Sequence, residues 1–410
     1  MKIAIRICIA ALLIGGAMGA RALEIDPMVK PEINIGGRAL VTTAYSEQTD
    51  AAGVKHSDTE LDIADSSLLF GFSKYLFNNH DYGFGALGIK TVEDGSDLDE
   101  EIYLHQLYAG IGGPRYELTL GRTQLPNTLL KFPTLRDDDL LEFTHVGNGL
   151  ADRHAEELQI YGGQVRGQWW FTPATQLGLA FTARAEEDPS SGELSHGQFN
   201  GQTLWLAYEL LESIKFDRGL RYAALAVDRQ SLNALGGEAD DEDMTAVIGA
   251  LAVNLSNNPQ ATWNLDLQAI VNNGAAVSAL DEAYRRARAK SNALVAALRF
   301  GHRPHLQTRW QAALTLGWKD FSDFSGARSL VVAPSYVYHI GAGVELLAQY
   351  RYLDNSDELT QATGFEKEHA VYLGISFAFD YTLNESVGTR NSILNREHNM
   401  TDFGPVFGGH

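Results

Sequence analysis

The chain has 410 residues, a formal net charge of −20, 45% apolar residues, 40 glycines, 11 prolines and one cysteine. A charge of that sign argues against a nucleic-acid partner, whose phosphates call for a basic surface. No segment beyond the N-terminus runs to about 18 consecutive apolar residues, so no transmembrane helix is expected.

The N-terminus reads as an export signal. Lys2 and Arg6 form a basic start, Ile7 to Met18 is apolar, and Ala20-Arg21-Ala22 is a small-residue cleavage site. A secretory signal peptide over residues 1–22 is expected, with an apolar run too short to span a bilayer. No cysteine stands near the cleavage site, so no lipoprotein anchor is expected. The single cysteine, Cys8, leaves with the signal, which excludes disulfides, thiol catalysis and Cys-ligated metals from the mature chain. Losing Lys2, Arg6 and Arg21 also takes the net charge from −20 to −23.

The remainder shows stretches of alternating polarity, each ~10–13 residues long, separated by turn residues. Strands are expected to begin near Ile33, Glu60, Tyr82, Ile102, Tyr116, Glu156, Gln176, Gln198, Gly219, Met244, Thr262, Ser291, Leu306, Arg328, Val344 and Lys367. Trp263 to Val271 sets Trp263, Leu265, Leu267 and Val271 against Asn264, Asp266 and Gln268. Leu306 to Trp318 sets Trp310, Leu314, Leu316 and Trp318 against Arg309, Gln311 and Thr315. Val344 to Leu353 sets Leu346, Ala348, Tyr350 and Tyr352 against Glu345, Gln349 and Arg351. The clearest case, Glu368 to Phe379, sets Val371, Leu373, Ile375, Phe377 and Phe379 against Ala370, Tyr372, Gly374, Ser376 and Ala378. Period two places one row in lipid and the other toward a lumen.

A soluble sandwich alternates too. Here, however, long charged residues occupy the middle of the polar rows, as a wet lumen permits. Aromatics gather at strand ends like an interface girdle: Tyr75 and Phe77, Tyr82 and Phe84, Trp169 to Phe171, Trp263, Phe300, Tyr336 and Tyr338. Short turns, such as Gly112 to Arg115 and Thr172 to Thr175, alternate with longer polar links. Those links are Ser46 to Thr59, Glu93 to Glu100, Thr123 to Ala155, Glu186 to Gly197, Gln230 to Asp243, Asn272 to Lys290, Asp320 to Ala327 and Asp354 to Glu366. The expected fold is all-β: a closed antiparallel transmembrane β-barrel of about 16 strands in a bacterial outer membrane, wide enough for an aqueous channel.

Leu118-Thr-Leu-Gly-Arg122, Tyr350-Arg-Tyr-Leu-Asp-Asn-Ser356 and Tyr372 to Phe379 resemble, in order and spacing, three strands of the Gram-negative general-diffusion porins. The resemblance implies a water-filled channel for small hydrophilic solutes and ions, a homotrimer, and contact with outer-membrane lipids and lipopolysaccharide. It also implies a third loop folded inward to narrow the pore. The corresponding loop, Thr123 to Ala155, is the longest link and carries Asp137, Asp138, Asp139 and Glu142. By the resemblance these acids face arginines of the wall, with Arg38, Arg122, Arg309 and Arg351 as the pore-constriction set. Opposed charge across a narrow gap filters ions, and the acidic chain suggests a weak cation preference.

The terminal strand departs from the porin pattern, because the chain continues past an aromatic end. A barrel over 23–381 and a periplasmic tail over 382–410 are expected, the tail being free to engage a periplasmic partner. His398 and His410 in the tail lack a third ligand, so no metal or cofactor is expected. Glu238 to Asp243 and the basic stretch Asp281 to Lys290, read as a helix, are solvated outer-loop features or contacts for cations and lipopolysaccharide phosphates. No hydrolase, metalloprotease or phosphate-loop motif occurs, so no enzyme is expected. Three rivals stand beside the diffusion porin: a channel selective for a sugar or a carboxylate, a docking barrel that holds a periplasmic partner through its tail, and, third, a membrane phospholipase, which no local motif supports.

Overall fold

A computed structural model describes residues 31–63, 66–76, 81–93, 100–135, 140–146, 161–183, 186–187, 194–195, 199–210, 218–232, 242–258, 260–275, 277–281, 283–302, 309–341 and 343–383. The strands are β1 (Glu32–Asp50), β2 (Lys55–Asp62), β3 (Ser67–Tyr75), β4 (Tyr82–Glu93), β5 (Glu100–Gly112), β6 (Tyr116–Gln124), β7 (Tyr161–Thr172), β8 (Thr175–Ala183), β9 (Glu186–Glu187), β10 (Leu194–Ser195), β11 (Phe199–Glu209), β12 (Gly219–Leu232), β13 (Glu242–Asn254), β14 (Ala261–Asn272), β15 (Ser291–His302), β16 (Trp310–Phe321), β17 (Arg328–Gly341), β18 (Val344–Asn355) and β19 (Phe365–Leu383). Among the described residues, three short helices lie in the links: α1 (Leu141–Thr144), α2 (Ala283–Arg288) and α3 (Asp357–Thr363). None of the described helices is long and apolar enough to cross a membrane.

Neighbouring strands pair antiparallel, and β19 returns to β1 with Ile33 opposite Leu383 and Thr49 opposite Lys367. That pairing closes the sheet and leaves it no edge. β2 lies along the outer half of β1 and β3 along the inner half, so together they make one stave. Ser66 bridges the break between them: its Oγ accepts from Leu40 N (2.9 Å) and donates to Leu40 O (3.1 Å). β9 and β10 form a separate hairpin, and β8 pairs directly with β11. The result is a closed barrel of 16 antiparallel strands.

The link expected over Ser46 to Thr59 is largely strand instead. β1 keeps pairing with both β2 and β19 above that point, and the hairpin turns only at residues 51–54. Asp50 holds this turn, its Oδ1 accepting from Ala52 N and Val54 N at 2.9 and 2.8 Å. The final strand likewise runs to Leu383, beyond Phe379 where alternation was expected to stop. Residues 1–30 and 384–410 lie outside the described residues, and with them the signal, His398, His410 and nearly all of the tail.

Burial alternates with period two around the wall. In β16, Leu314, Leu316 and Trp318 are exposed while Ala313, Thr315 and Lys319 are buried. The exposed row is the lipid face. On β19 it runs from Val371 to Phe379; eight rises of ~3.4 Å at a tilt of ~40° give about 21 Å, near the ~25 Å apolar band of such barrels. Trp263, Phe300, Trp310 and Tyr336 follow one another across β14–β17 at 4.6, 5.1 and 5.9 Å between ring centroids. They form one girdle at the short-turn rim. Tyr350, Tyr352 and His369 mark the opposite rim, with Tyr350 Oη 2.7 Å from His369 Nδ1.

Three aromatics expected in the girdle face inward instead. Tyr82, Phe84 and Trp170 are buried. The rings of Tyr82 and Phe84 lie over Gly112 and Gly110 of β5, where an added Cβ would come within 2.4 Å of each. Glycine clears the wall there so that the rings lie flat on it. Phe77 lies outside the described residues.

Leu373 is 54% exposed in the middle of the lipid-facing row. Leu373→Arg is therefore expected to cost ~2–4 kcal/mol near the midplane. Urea unfolding in lipid vesicles measures it, and an unchanged midpoint would mean that this face does not meet lipid.

Candidate pore-lining site

The inward rows carry two kinds of surface. One is apolar and largely alanine: Ala226 on β12, Ala246 and Ala250 on β13, Ala293 and Ala297 on β15, with Trp205, Tyr222, Met244, Ile248, Ile270 and Val295 among them. The other is polar and paired. Arg299 and Asp266 form an ion pair, Arg166 Nη2 is 3.7 Å from Glu117 Oε1, and Arg221 Nη1 donates to Asn264 Oδ1 at 3.0 Å. His339 Nδ1 is 3.0 Å from Glu345 Oε1, whose other oxygen accepts from Ser376 Oγ at 3.0 Å.

The link between β6 and β7 meets the apolar surface. Leu129, Leu130, Phe132, Leu140, Phe143 and Val146 are buried in one cluster with the alanine-rich wall. Leu135 is buried with Leu40, Val337, Leu347 and Tyr372 of β1 and β17–β19. Sequence reasoning singled out the acids of this link, whereas its described part is held by apolar side chains. The leucines, phenylalanine and prolines clustered over Leu125 to Leu135 were the available signal.

Of the expected constriction residues, Asp137, Asp138 and Asp139 lie outside the described residues. Glu142 is half-buried on α1, with its Oε1 3.3 Å from Arg286 Nε of α2 and its backbone carbonyl accepting from Lys319 Nζ at 2.9 Å. Its described charge partner is thus an arginine from the link after β14, which sequence reasoning read as a solvated helix. Arg38 stands inward on β1, half-buried, with Nε and Nη2 hydrogen-bonded to nothing described. Arg351 pairs with Glu368 at 3.4 Å.

Two members of the set have other described partners. Arg122 is in register with Leu107 and Gly163, the row of exposed Leu107 and Leu120, and its guanidinium donates to Tyr103 Oη. Arg309 is exposed just before β16 at the short-turn rim, donating to Tyr338 Oη at 3.2 Å. None of the described contacts joins either of them to Glu142, and spacing in the sequence does not reveal such partners.

No protein-family profile matches this sequence, and no curated protein is similar to it in sequence. Solved structures are similar in fold. The outer-membrane channel DcaP of Acinetobacter baumannii is 15% identical, over 85% of this chain and 97% of that one, with a TM-score of 0.57. The anion-selective porin of Comamonas acidovorans is 16% identical, over 85% and 100%, at 0.54. OmpF of Salmonella typhi, in complex with daunomycin, is 14% identical, over 85% and 97%, at 0.52. The chain has the fold of the outer-membrane porins.

Proposed function

We propose that this protein is an outer-membrane channel for passive diffusion of small hydrophilic solutes and ions, with a weak cation preference. A closed barrel with an apolar outer row and no free edge suits a bilayer. In this reading the link between β6 and β7 lies within the lumen and narrows it. The observation that carries it is the hydrogen bonding of that link to inward side chains: Leu130 N to Gln268 Oε1 (3.1 Å), and Ser335 Oγ to Pro133 O (3.3 Å). The segment 1–22 is read as a signal, and the residues after Leu383, where β19 ends, as a periplasmic tail. A homotrimer is part of the same reading, supported by the trimeric form of the similar OmpT of Vibrio cholerae.

Because Arg286 already stands against Glu142, the test of the loop's charge is placed on Asp137, Asp138 and Asp139. Their joint replacement by asparagine is expected to move the reversal potential toward anions in planar bilayers, with the shift shrinking at high salt as screening shortens the field. An unchanged reversal potential at low salt would place these acids outside the permeation path. The second reading is an anion- or carboxylate-selective channel. It is favoured by the guanidinium nitrogens of Arg38 that have no described partner, and by likeness to a porin whose name states anion selectivity. A clear anion preference in the parent channel would establish it over the first.

A further inference from the structure

A loop buried against a β-wall meets a backbone problem. The ladder already uses the backbone groups of the strands, so buried N–H and C=O groups of the loop need other partners or remain costly. Here wall side chains supply them. Gln230 Nε2 donates to Val146 O (2.9 Å), Gln349 Oε1 accepts from Leu135 N (2.5 Å), and Lys319 Nζ donates to Glu142 O (2.9 Å).

Gln268 of β14 differs from these. Its Oε1 accepts from Leu130 N at 3.1 Å, on the outgoing limb, while its Nε2 donates to Thr144 O at 3.0 Å, on the returning limb. A single amide thereby ties both limbs of the link to one point of the wall. Only a side chain that both donates and accepts can do so. By register its cross-strand neighbours are Ala250 and Val295, both buried and apolar. Neither can hydrogen-bond the amide across the ladder, and both of its described hydrogen bonds go to the loop.

We propose that Gln268 is the positioning residue of the β6–β7 loop, clamping its two limbs together and holding the loop on the wall so that the channel stays open. This rests on the channel reading above. Gln268→Leu removes both hydrogen bonds at similar volume, and Gln268→Glu keeps the acceptor but loses the donor to Thr144 O. In planar bilayers Gln268→Leu is expected to conduct several-fold less than the parent, with frequent brief closures, as the released loop leaves the wall for the water path. Gln268→Glu should fall between them. Both should retain the heat-modifiable gel mobility of a folded barrel.

Hydrogen exchange in detergent gives a reading independent of conduction. The amides of Leu130 and of residues 140–146 should exchange at least an order of magnitude faster in Gln268→Leu. Parent-like exchange and conductance in both variants would overturn the proposal. A parent that folds but never conducts would overturn the channel reading instead, and the exchange measurement would still decide the clamp. Should Gln268→Leu fail to fold, Gln268→Glu carries the same test.

Discussion

Gly121→Ala is expected to abolish the heat-modifiable barrel, although it adds one methyl group. Gly121 has φ of 133°, in the region that side chains rarely adopt. A Cβ built there would lie 2.3 Å from Leu107 O and 2.6 Å from Tyr108 Cα. Both are backbone atoms of β5 held in the ladder, where Leu107 pairs with Arg122 and Tyr108 with Gly121. Neither can rotate aside as a flexible side chain would. The backbone strain alone is worth ~1–3 kcal/mol, and the overlap adds the cost of parting two strands at mid-wall.

Gly53 supplies the control. Its φ is 76°, also left-handed, but nothing lies within 4 Å of a Cβ placed there. Gly53→Ala should therefore cost only ~1–2 kcal/mol and leave assembly intact. Detergent refolding followed by unheated gel electrophoresis compares the two. If Gly121→Ala folds as readily as Gly53→Ala, the close approach of β5 and β6 at this point is wrong.

Gly121 lies inside the stretch Leu118 to Arg122, whose spacing drew attention in the sequence, yet spacing could not say why the glycine is needed. The same division runs through the rest of the fold. Strands such as β14 and β18 were legible because their outward rows are apolar and their inward rows carry Asp266, Gln268, Glu345 and Gln349; β16 and β19 were legible from their strictly alternating apolar outward rows. Inward Tyr82 and Phe84 were not, since their place depends on Gly112 and Gly110 of a neighbouring strand. The loop's seat was hidden for a similar reason. Alanines at Ala226, Ala246, Ala250, Ala293 and Ala297 make one surface only after four strands are laid side by side. Charge partners such as Glu142 and Arg286 are brought together by two links far apart in the chain, and no local pattern announces such a pair.

The ion pair of Asp266 and Arg299 gives the largest expected loss after Gly121. Both face inward on β14 and β15, with side chains 2% and 7% exposed. Removing one partner leaves the other charge buried and unpaired, which costs ~3–5 kcal/mol, whereas replacing both by apolar residues of similar size is often neutral. Asp266→Leu and Arg299→Met should each lower the urea midpoint strongly, and the double variant should recover most of the loss. Salt should change these midpoints little, because a buried pair is poorly screened. The alternative outcome is as informative. An exposed ion pair is worth ~0–1 kcal/mol, so small single-variant losses that shrink further with salt would mean that water wets the wall at β14 and β15. That wall carries Gln268 two residues from Asp266, on the same inward row. In the channel reading, a dry pair would favour a permeation path away from this arc of the wall, while a wet pair would bring water beside Gln268 itself.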